Sequence, residues 1–473
     1  MELHLALDGR QDLAGQLYSQ LRTAILEGRL TAGDRLPPLR SLAERLEVSR
    51  KTVGEAYERL AAEGFLQGRV GSGTYVSSVL TPTERPAKAS AALQASARWR
   101  ALAASWQMSV RQPARYSFAG GTTDKRRFPF DTWRACLHRA LRLQARSPAF
   151  YAEALGYPEL RLAISRYLAI NRGVRCDWND ILVSQGAQQA IDLLARVMLA
   201  PGDLAVVEEP GYPPVRMAFE AAGARVVCVP VDGEGLRVDC LPEQARLVYV
   251  TPSHQFPLGQ PMSLRRRLQL LEWARSRQAL IIEDDYDGEY RFDGRPLESL
   301  QSLDHEGRVA YVGTFSKTLF PELRLGYLLM PAALRAELTA AKRLADQHSE
   351  SLQQLALAHF IGSGAFAKHT RRLQREYAQR RQRLLSRLAG DLAPWLEALP
   401  AVAGMHLAAR LRQPLDSARL CAQLAERGVL LFDLASFYAE SPTMAGLLFG
   451  FGAIETEDID PALDILRELL SQA

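Results

Sequence analysis

The chain has 473 residues, 47% hydrophobic and 23% charged, with a formal net charge of +5. That length suits two or three ordinary domains, and the balance excludes a disordered, collagen-like or disulfide-scaffold chain. No apolar run approaches a membrane span, the start shows no signal peptide, and the five cysteines form no CxxC or metal spacing, so a soluble protein of a reducing cytoplasm is expected.

The first 77 residues read as one small unit. Leu17, Leu21, Ala24 and Ile25 repeat at helical spacing. A short helix follows Pro37-Pro38, with Leu39, Leu42, Ala43 and Leu46 as its apolar face. Ser49 is a natural cap for a third helix that turns Val53, Ala56, Tyr57 and Leu60 inward. A hairpin with Gly71-Ser72-Gly73 at its tip completes a winged helix-turn-helix. Arg40, Ser49, Arg50, Lys51 and Thr52 are candidate donors to phosphates and base edges of an operator. Arg69, Gly71, Ser72, Gly73 and Thr74 would let the wing approach a groove closely. A trihelical docking module with solvated arginines would share the pattern, and the net charge does not decide between them.

Residues 78–115 are rich in Ala, Ser, Arg and Pro and read as a linker, with a helix around Leu93–Trp106. From 116 to 473, short apolar runs alternate with helical patterns, which predicts a large α/β unit built on a mostly parallel sheet. Its end, from about 380 to 473, is expected to form a smaller α+β subdomain.

Only six of the 58 basic residues are lysines: Lys51, Lys88, Lys125, Lys317, Lys342 and Lys368. Where arginine fills the generic positive roles, a lysine in an apolar context calls for a chemical reason, because only an amine forms a Schiff base. Lys317 follows an apolar strand and sits between Ser316 and Thr318. Arg324 comes shortly after, and Asp284 ends an earlier strand, with Tyr286 close behind. A lysine, a strand-end carboxylate and an arginine are what pyridoxal 5'-phosphate requires, and a phenol can hydrogen-bond the ring's O3′. Gly186, Ala187 and Gln188 open a predicted helix whose amides suit the phosphate. Tyr212 lies at a strand-to-helix turn, placed to stack on a pyridine ring.

Two resemblances emerge from these motifs. Leu36-Pro37-Pro38-Leu39-Arg40-Ser41-Leu42-Ala43, Val48-Ser49-Arg50-Lys51-Thr52-Val53 and Arg69-Val70-Gly71-Ser72-Gly73-Thr74-Tyr75-Val76 resemble the GntR family of bacterial regulators. The stretch from Tyr151 to Met330, and more weakly the remainder, resembles fold-type I aminotransferases. The combination is similar to the MocR/GabR family of transcriptional regulators. That resemblance implies Lys317 as the Schiff-base lysine, Asp284 as the pyridinium partner and Tyr286 as the O3′ contact. It implies Thr314, Ser316 and Arg324 as phosphate ligands, together with the amides of Gly186 to Gln188. It also implies a homodimer in which Tyr151 reaches the neighbouring subunit's phosphate. The implied effectors are pyridoxal phosphate itself, GABA, taurine or other amino acids.

Two departures from the aminotransferase pattern stand out. Phe256 occupies the place of an asparagine that contacts O3′, so Tyr286 or His254 must serve. The region Gly446–Phe451 holds no arginine for a substrate carboxylate, which leaves Arg410 and Arg412 as candidates. The expected function is a cofactor-dependent regulator in which ligand binding shifts DNA affinity. A working aminotransferase with a DNA-binding appendage, and a pure cofactor sensor, remain alternatives. A basic stretch from Lys368 to Arg387 reads either as a solvated helix face or as a second track for the DNA backbone.

Overall fold

The computed structural model describes residues 5–9, 11–69, 71–77, 94–105, 114–293 and 298–472. The chain forms two compact units, Met1–Ala95 and Ser96–Ala473. Residues 78–93 and 106–113 of the expected linker, and Val70 of the wing, lie outside the described residues.

The first unit contains helices α1 (Leu13–Leu26), α2 (Leu39–Arg45) and α3 (Arg50–Ala62), then strands β1 (Leu66–Arg69) and β2 (Gly73–Val76). Each helix starts for a local reason. The Asp12 side chain accepts from Gly15 N–H, and the Ser49 side chain from Thr52 N–H at 3.0 Å. Pro38 immediately precedes α2. The expected inward faces of α1 and α3 are buried around Leu17, Leu21, Val53, Ala56 and Leu60. Leu39 departs from its expected place: at 42% exposed it lies outside the core, because a seven-residue helix buries only its Leu42–Ala43 turn. The β1–β2 hairpin pairs Leu66 with Val76 and Arg69 with Gly73.

The second unit begins with α4 (Ala97–Ser105), inside the stretch where a linker helix was expected. Its Arg98 donates to the Ala221 carbonyl at 3.0 Å, and Leu102 is buried. There follow β3 (Tyr116–Ser117), α5 (Phe130–Gln144), α6 (Pro158–Arg172), β4 (Ile181–Ser184), α7 (Ala187–Met198), β5 (Leu204–Glu209) and α8 (Pro213–Ala222). Next are β6 (Arg225–Asp232), β7 (Gly235–Leu236), β8 (Ala245–Val250), α9 (Leu264–Arg277), β9 (Leu280–Asp285), α10 (Leu300–Leu303), β10 (Val309–Thr314) and β11 (Gly326–Leu329). The chain closes with α11 (Arg335–Asp346), α12 (Ser351–Gly362), α13 (Ala365–Ala389), β12 (Leu396–Ala398), β13 (His406–Leu411), α14 (Ser417–Glu426), β14 (Val429–Leu430), β15 (Phe432–Asp433), β16 (Gly446–Gly450) and α15 (Ile459–Gln472).

The large lobe is an eight-stranded sheet in the order β4-β11-β10-β9-β8-β5-β6-β7. The run β10-β9-β8-β5-β6 is parallel, while β11 is antiparallel to both its neighbours. Its strands read as continuous apolar runs because helices cover both faces. The small lobe is a four-stranded antiparallel sheet, β12-β13-β16-β15.

Two features refine the expected division. β3 pairs in parallel with β14, and Tyr116 and Phe118 join the small-lobe core, so the start of the unit completes its end. The long helix α13 serves both lobes, with Phe366 in one core and Leu373 to Leu388 in the other. Among the described residues no helix is long and apolar enough to cross a membrane.

Candidate cofactor site and nucleic-acid interface

The cofactor candidates converge where the parallel strands end, the usual place for a ligand in an open α/β sheet. Asp284 is the penultimate residue of β9 and is 4% exposed. Its Oδ2 accepts from the Tyr249 hydroxyl at 2.7 Å, while Oδ1 is buried without a hydrogen-bond partner. Burial pushes the Asp284 carboxyl up to about 7, against the opposing pull of Tyr249 and Lys317. An ionised carboxylate with one unused buried oxygen fits a protonated pyridine nitrogen as donor.

Lys317 lies in the turn after β10, partly buried, and its Nζ donates to the Gly121 carbonyl at 2.7 Å. Ser316 and Thr314 beside it are buried, and the Ser316 N–H donates to Thr314 Oγ1. Gly186 precedes α7 with φ +84°, and no side chain caps that helix. The first amides of α7 therefore lack the usual intrahelical partners, and the positive end of the helix is open to an anion. The Arg324 guanidinium closes on this cradle: Nη2 donates to the Gln185 carbonyl at 2.7 Å, and a Cβ on Gly186 would sit 3.0 Å from it. Arg324 itself has φ +53°. An uncapped helix start, an arginine and two hydroxyls fit a phosphate dianion.

Tyr212 precedes α8, 39% exposed, with its ring edge-on to Phe256 at 5.6 Å. Tyr286 is placed differently from the simple expectation. Its hydroxyl donates to the His254 carbonyl at 2.8 Å, so its proton is already engaged. His254 is 1% exposed, and its Nδ1 lies 3.0 Å from Asp287, whose carboxylate also accepts from Met405 N–H at 3.0 Å. Because a carboxylate only accepts, the His254 Nδ1 carries a proton toward Asp287. The His254 ring packs against that of His406, tilted by 37° with centroids 4.3 Å apart, and burial drives the His406 ring well below the ordinary histidine range. Tyr151 joins none of these groups; it stands 84% exposed.

The residue reading missed several participants. Tyr249 reads as one more strand aromatic, and nothing in its neighbours marks the contact to Asp284. Glu208, in β5, accepts from the Thr251 hydroxyl at 2.6 Å, keeps Oε1 unpartnered, and is pushed by burial up to about 7. Lys342 is a second buried lysine, 0% exposed. Its ammonium donates to Gln189, Asp346 and Ser349, so all three protons have acceptors. Gln189 in turn accepts from Gln185 N–H, so this cage braces the turn before α7.

Arg410 and Arg412, the candidate carboxylate anchors, both turn to Glu397, at 2.6 and 3.6 Å. Half of the eight basic residues of α13 are engaged in ion pairs. Arg380 is fully buried against Asp124, Arg381 pairs with Asp293, Arg383 with Asp460, and Arg387 with Asp391, Asp460 and Asp464. Lys368, Arg371, Arg372 and Arg375 remain exposed.

In the first unit, Arg50, Lys51 and Thr52 occupy the first turn of α3, beside Ser49. Lys51 and Arg40 each make an exposed i,i+4 pair, with Glu55 and Glu44. Such pairs hold weakly and can give way to phosphate. At the wing, Arg69 lies over the Tyr75 ring at 4.8 Å, and Ser72 Oγ is 2.7 Å from the Tyr75 hydroxyl. Gly71 and Gly73 have φ of +74° and +122°, and Thr74 is the second residue of the return strand. Arg35 was not foreseen: it is exposed, and its guanidinium lies beside Gly73 at the wing.

A winged helix-turn-helix and a two-lobed α/β unit with an amine, a buried carboxylate and an anion cradle together define a regulator built on an aminotransferase fold. Residues 121–462 match the family described as aminotransferase class I and II, and residues 13–76 match the gntR family of bacterial regulatory proteins. The probable rhizopine catabolism regulatory protein MocR of Rhizobium meliloti is 38% identical, over 96% of this chain and 92% of that protein. The pyridoxine biosynthesis transcriptional regulator PdxR of Corynebacterium glutamicum is 33% identical, over 99% of each. The crystal structure of kynurenine aminotransferase from Pyrococcus horikoshii superimposes with a TM-score of 0.70 at 28% identity, over 84% of this chain and 99% of that one. The chain belongs to the MocR family of GntR-type transcriptional regulators, whose large domain is of the pyridoxal-phosphate-dependent aminotransferase class.

Proposed function

We propose that this regulator holds pyridoxal phosphate through Lys317 and reads an amine, an amino acid or the cofactor itself as its signal at a DNA operator. The observation that carries this reading is the buried, donor-less Oδ1 of Asp284 in the same site as the Lys317 amine and the open start of α7. When bound, the cofactor supplies an aldehyde that condenses with a primary amine and a ring that withdraws electrons. Asp284 Oδ1 would accept the ring N–H and hold the proton on that nitrogen. The amides of Gly186, Ala187 and Gln188, the hydroxyls of Thr314 and Ser316 and the Arg324 guanidinium would receive the phosphate. Tyr212 would cover the ring, and Tyr286 with His254 would serve O3′. The exposure of Tyr151 supports its use across a homodimer, where a partner's site would cover it.

At the other end, Ser49, Arg50, Lys51 and Thr52 meet the major groove, Arg40 clamps backbone, and Arg69 with Gly71, Ser72, Gly73 and Thr74 forms the wing contact. The two functions are linked by differential affinity: a ligand shifts operator occupancy by the difference in its binding to two arrangements, about 1–3 kcal/mol for an allosteric coupling. The test combines borohydride reduction with peptide mapping, and operator footprinting with and without cofactor. A pyridoxyl adduct at Lys317, and a cofactor response of the footprint that Lys317→Ala abolishes, support the reading. An unmodified Lys317, or an undiminished response in Lys317→Ala, overturns it.

A further inference from the structure

A cleft of about 290 Å³ opens between α6, the segment after β9, and α13. It lies on the other side of the sheet from the cofactor candidates. Successive side chains of β9 alternate between faces, so Ile282 and Asp284 share the Tyr249 side, whereas Ile281, Glu283 and Asp285 turn away. Asp285 is met there by Arg172, the last residue of α6, at 2.6 Å. Arg172 also donates from Nη2 to Ser253 Oγ at 2.8 Å and from Nη1 to the Gly288 carbonyl at 3.4 Å, so its charge and two of its donors are spoken for.

The rest of the lining is not self-satisfied. Arg291 carries a buried Nε without a hydrogen-bond partner, and its backbone carbonyl accepts from Gln374. Arg371 is exposed at the cleft, and its Nε donates only to the Ala367 carbonyl of its own helix. Neither Arg291 nor Arg371 makes an ion pair among the described residues. Opposite in charge is Glu289, which accepts from the Tyr167 hydroxyl. Burial pushes the Glu289 carboxyl up to about 7, and a bound ammonium would restore its charge.

We propose that this cleft is a second small-molecule site that takes an amine carboxylate, such as a free amino acid. The carboxylate lies against Arg291 and Arg371, and the ammonium against Glu289. The volume matches the lower end of ordinary ligand pockets, about 300 Å³. Two unpaired guanidiniums favour an anion, and the single carboxylate selects a zwitterion over a simple acid or phosphate. Because Asp285 and Asp284 are adjacent on β9, an occupant would act on the strand that carries the cofactor's carboxylate. The proposal does not rest on the Lys317 reading.

The test is calorimetric titration of the full chain, wild type and Lys317→Ala, with L-glutamate, succinate and inorganic phosphate. Saturable glutamate binding is expected in both, with a dissociation constant of roughly 1 mM or tighter. Arg371→Gln and Arg291→Gln should each weaken it about tenfold, the equivalent of one charged hydrogen bond. Arg371 is exposed, so its variant keeps the test sound if Arg291→Gln disturbs the fold. Succinate and phosphate should bind more weakly than glutamate. Absence of saturation, equal affinity in Arg371→Gln, loss of binding in Lys317→Ala, or succinate or phosphate matching glutamate would each overturn the proposal.

Discussion

Replacing Arg380 by methionine tests whether the basic face of α13 holds the fold or meets DNA. Its Nη2 lies 2.6 Å from Asp124 Oδ2 and 3.2 Å from Glu455 Oε2, and Nη1 donates to the Gly452 carbonyl at 2.9 Å. Both Arg380 and Asp124 are essentially inaccessible, at 0% and 1%. Breaking a buried pair by removing one partner costs about 3–5 kcal/mol. Asp124 keeps Arg126 at 3.0 Å, which places the loss at the lower end, about 3 kcal/mol. At about 2 °C per kcal/mol, the melting temperature of the large unit should fall by roughly 6 °C. Burial raises the Asp124 carboxyl, but Arg380 and Arg126 outweigh it and hold the group below its ordinary range. The unfolded chain therefore takes up that proton first on acidification. The deficit of Arg380→Met should be complete above the unfolded carboxylate value of about 4 and shrink as pH falls through the depressed folded value. Differential scanning calorimetry across pH, with the salt dependence of operator binding measured in parallel, reads both outcomes. An unchanged melting temperature together with a shallower salt slope would refute the structural assignment.

Other outcomes follow from the same geometry. His369 donates to the Thr318 carbonyl beside Lys317, and burial lowers its ring to about 4. Its folded value lies below the unfolded one of about 6.5, so it should remove up to about 3 kcal/mol of stability as pH falls from 6.5 to 4, and His369→Gln should flatten that part of the profile. Gly186→Ala forces a Cβ to 3.0 Å from Arg324 at φ +84°, and should cost about 1–3 kcal/mol in thermal stability and weaken cofactor retention measured by dialysis. Lys342→Met leaves Gln189, Asp346 and Ser349 short of a donor, and should destabilise by about 1–3 kcal/mol while borohydride still labels Lys317. Arg50→Gln should reduce the salt slope of operator binding by about one, with the melting temperature unchanged.

What the residues disclosed in advance was local. Lys317, Asp284, Gly186 and Arg324 each sit at or next to the boundary of a strand or a helix, where a few neighbours reveal the backbone geometry. The cap at Ser49 and the Gly71–Gly73 tip were legible for the same reason. Contacts made by the fold at long range were not. Arg380 meets a carboxylate in the segment after β3, and Tyr249 meets Asp284 only because β8 and β9 are neighbours in the sheet. Charge spacing along α13 looks the same whether arginines face water or acids, so only packing separates the two. Lys342 is instructive in the opposite sense: scarcity of lysine marked it as readily as Lys317, and its three acceptors assign it to support, not to chemistry.

The points at which the chain is moored bear on how a signal leaves the large unit. α4 rests on the end of α8 in the larger lobe, whereas β3, the next strand, is stitched to the smaller one. The chain thus meets both lobes before the large sheet begins. Only the first mooring adjoins the N-terminal module in sequence, so loss of the Arg98–Ala221 contact is the change in the large unit that lies nearest that module along the chain.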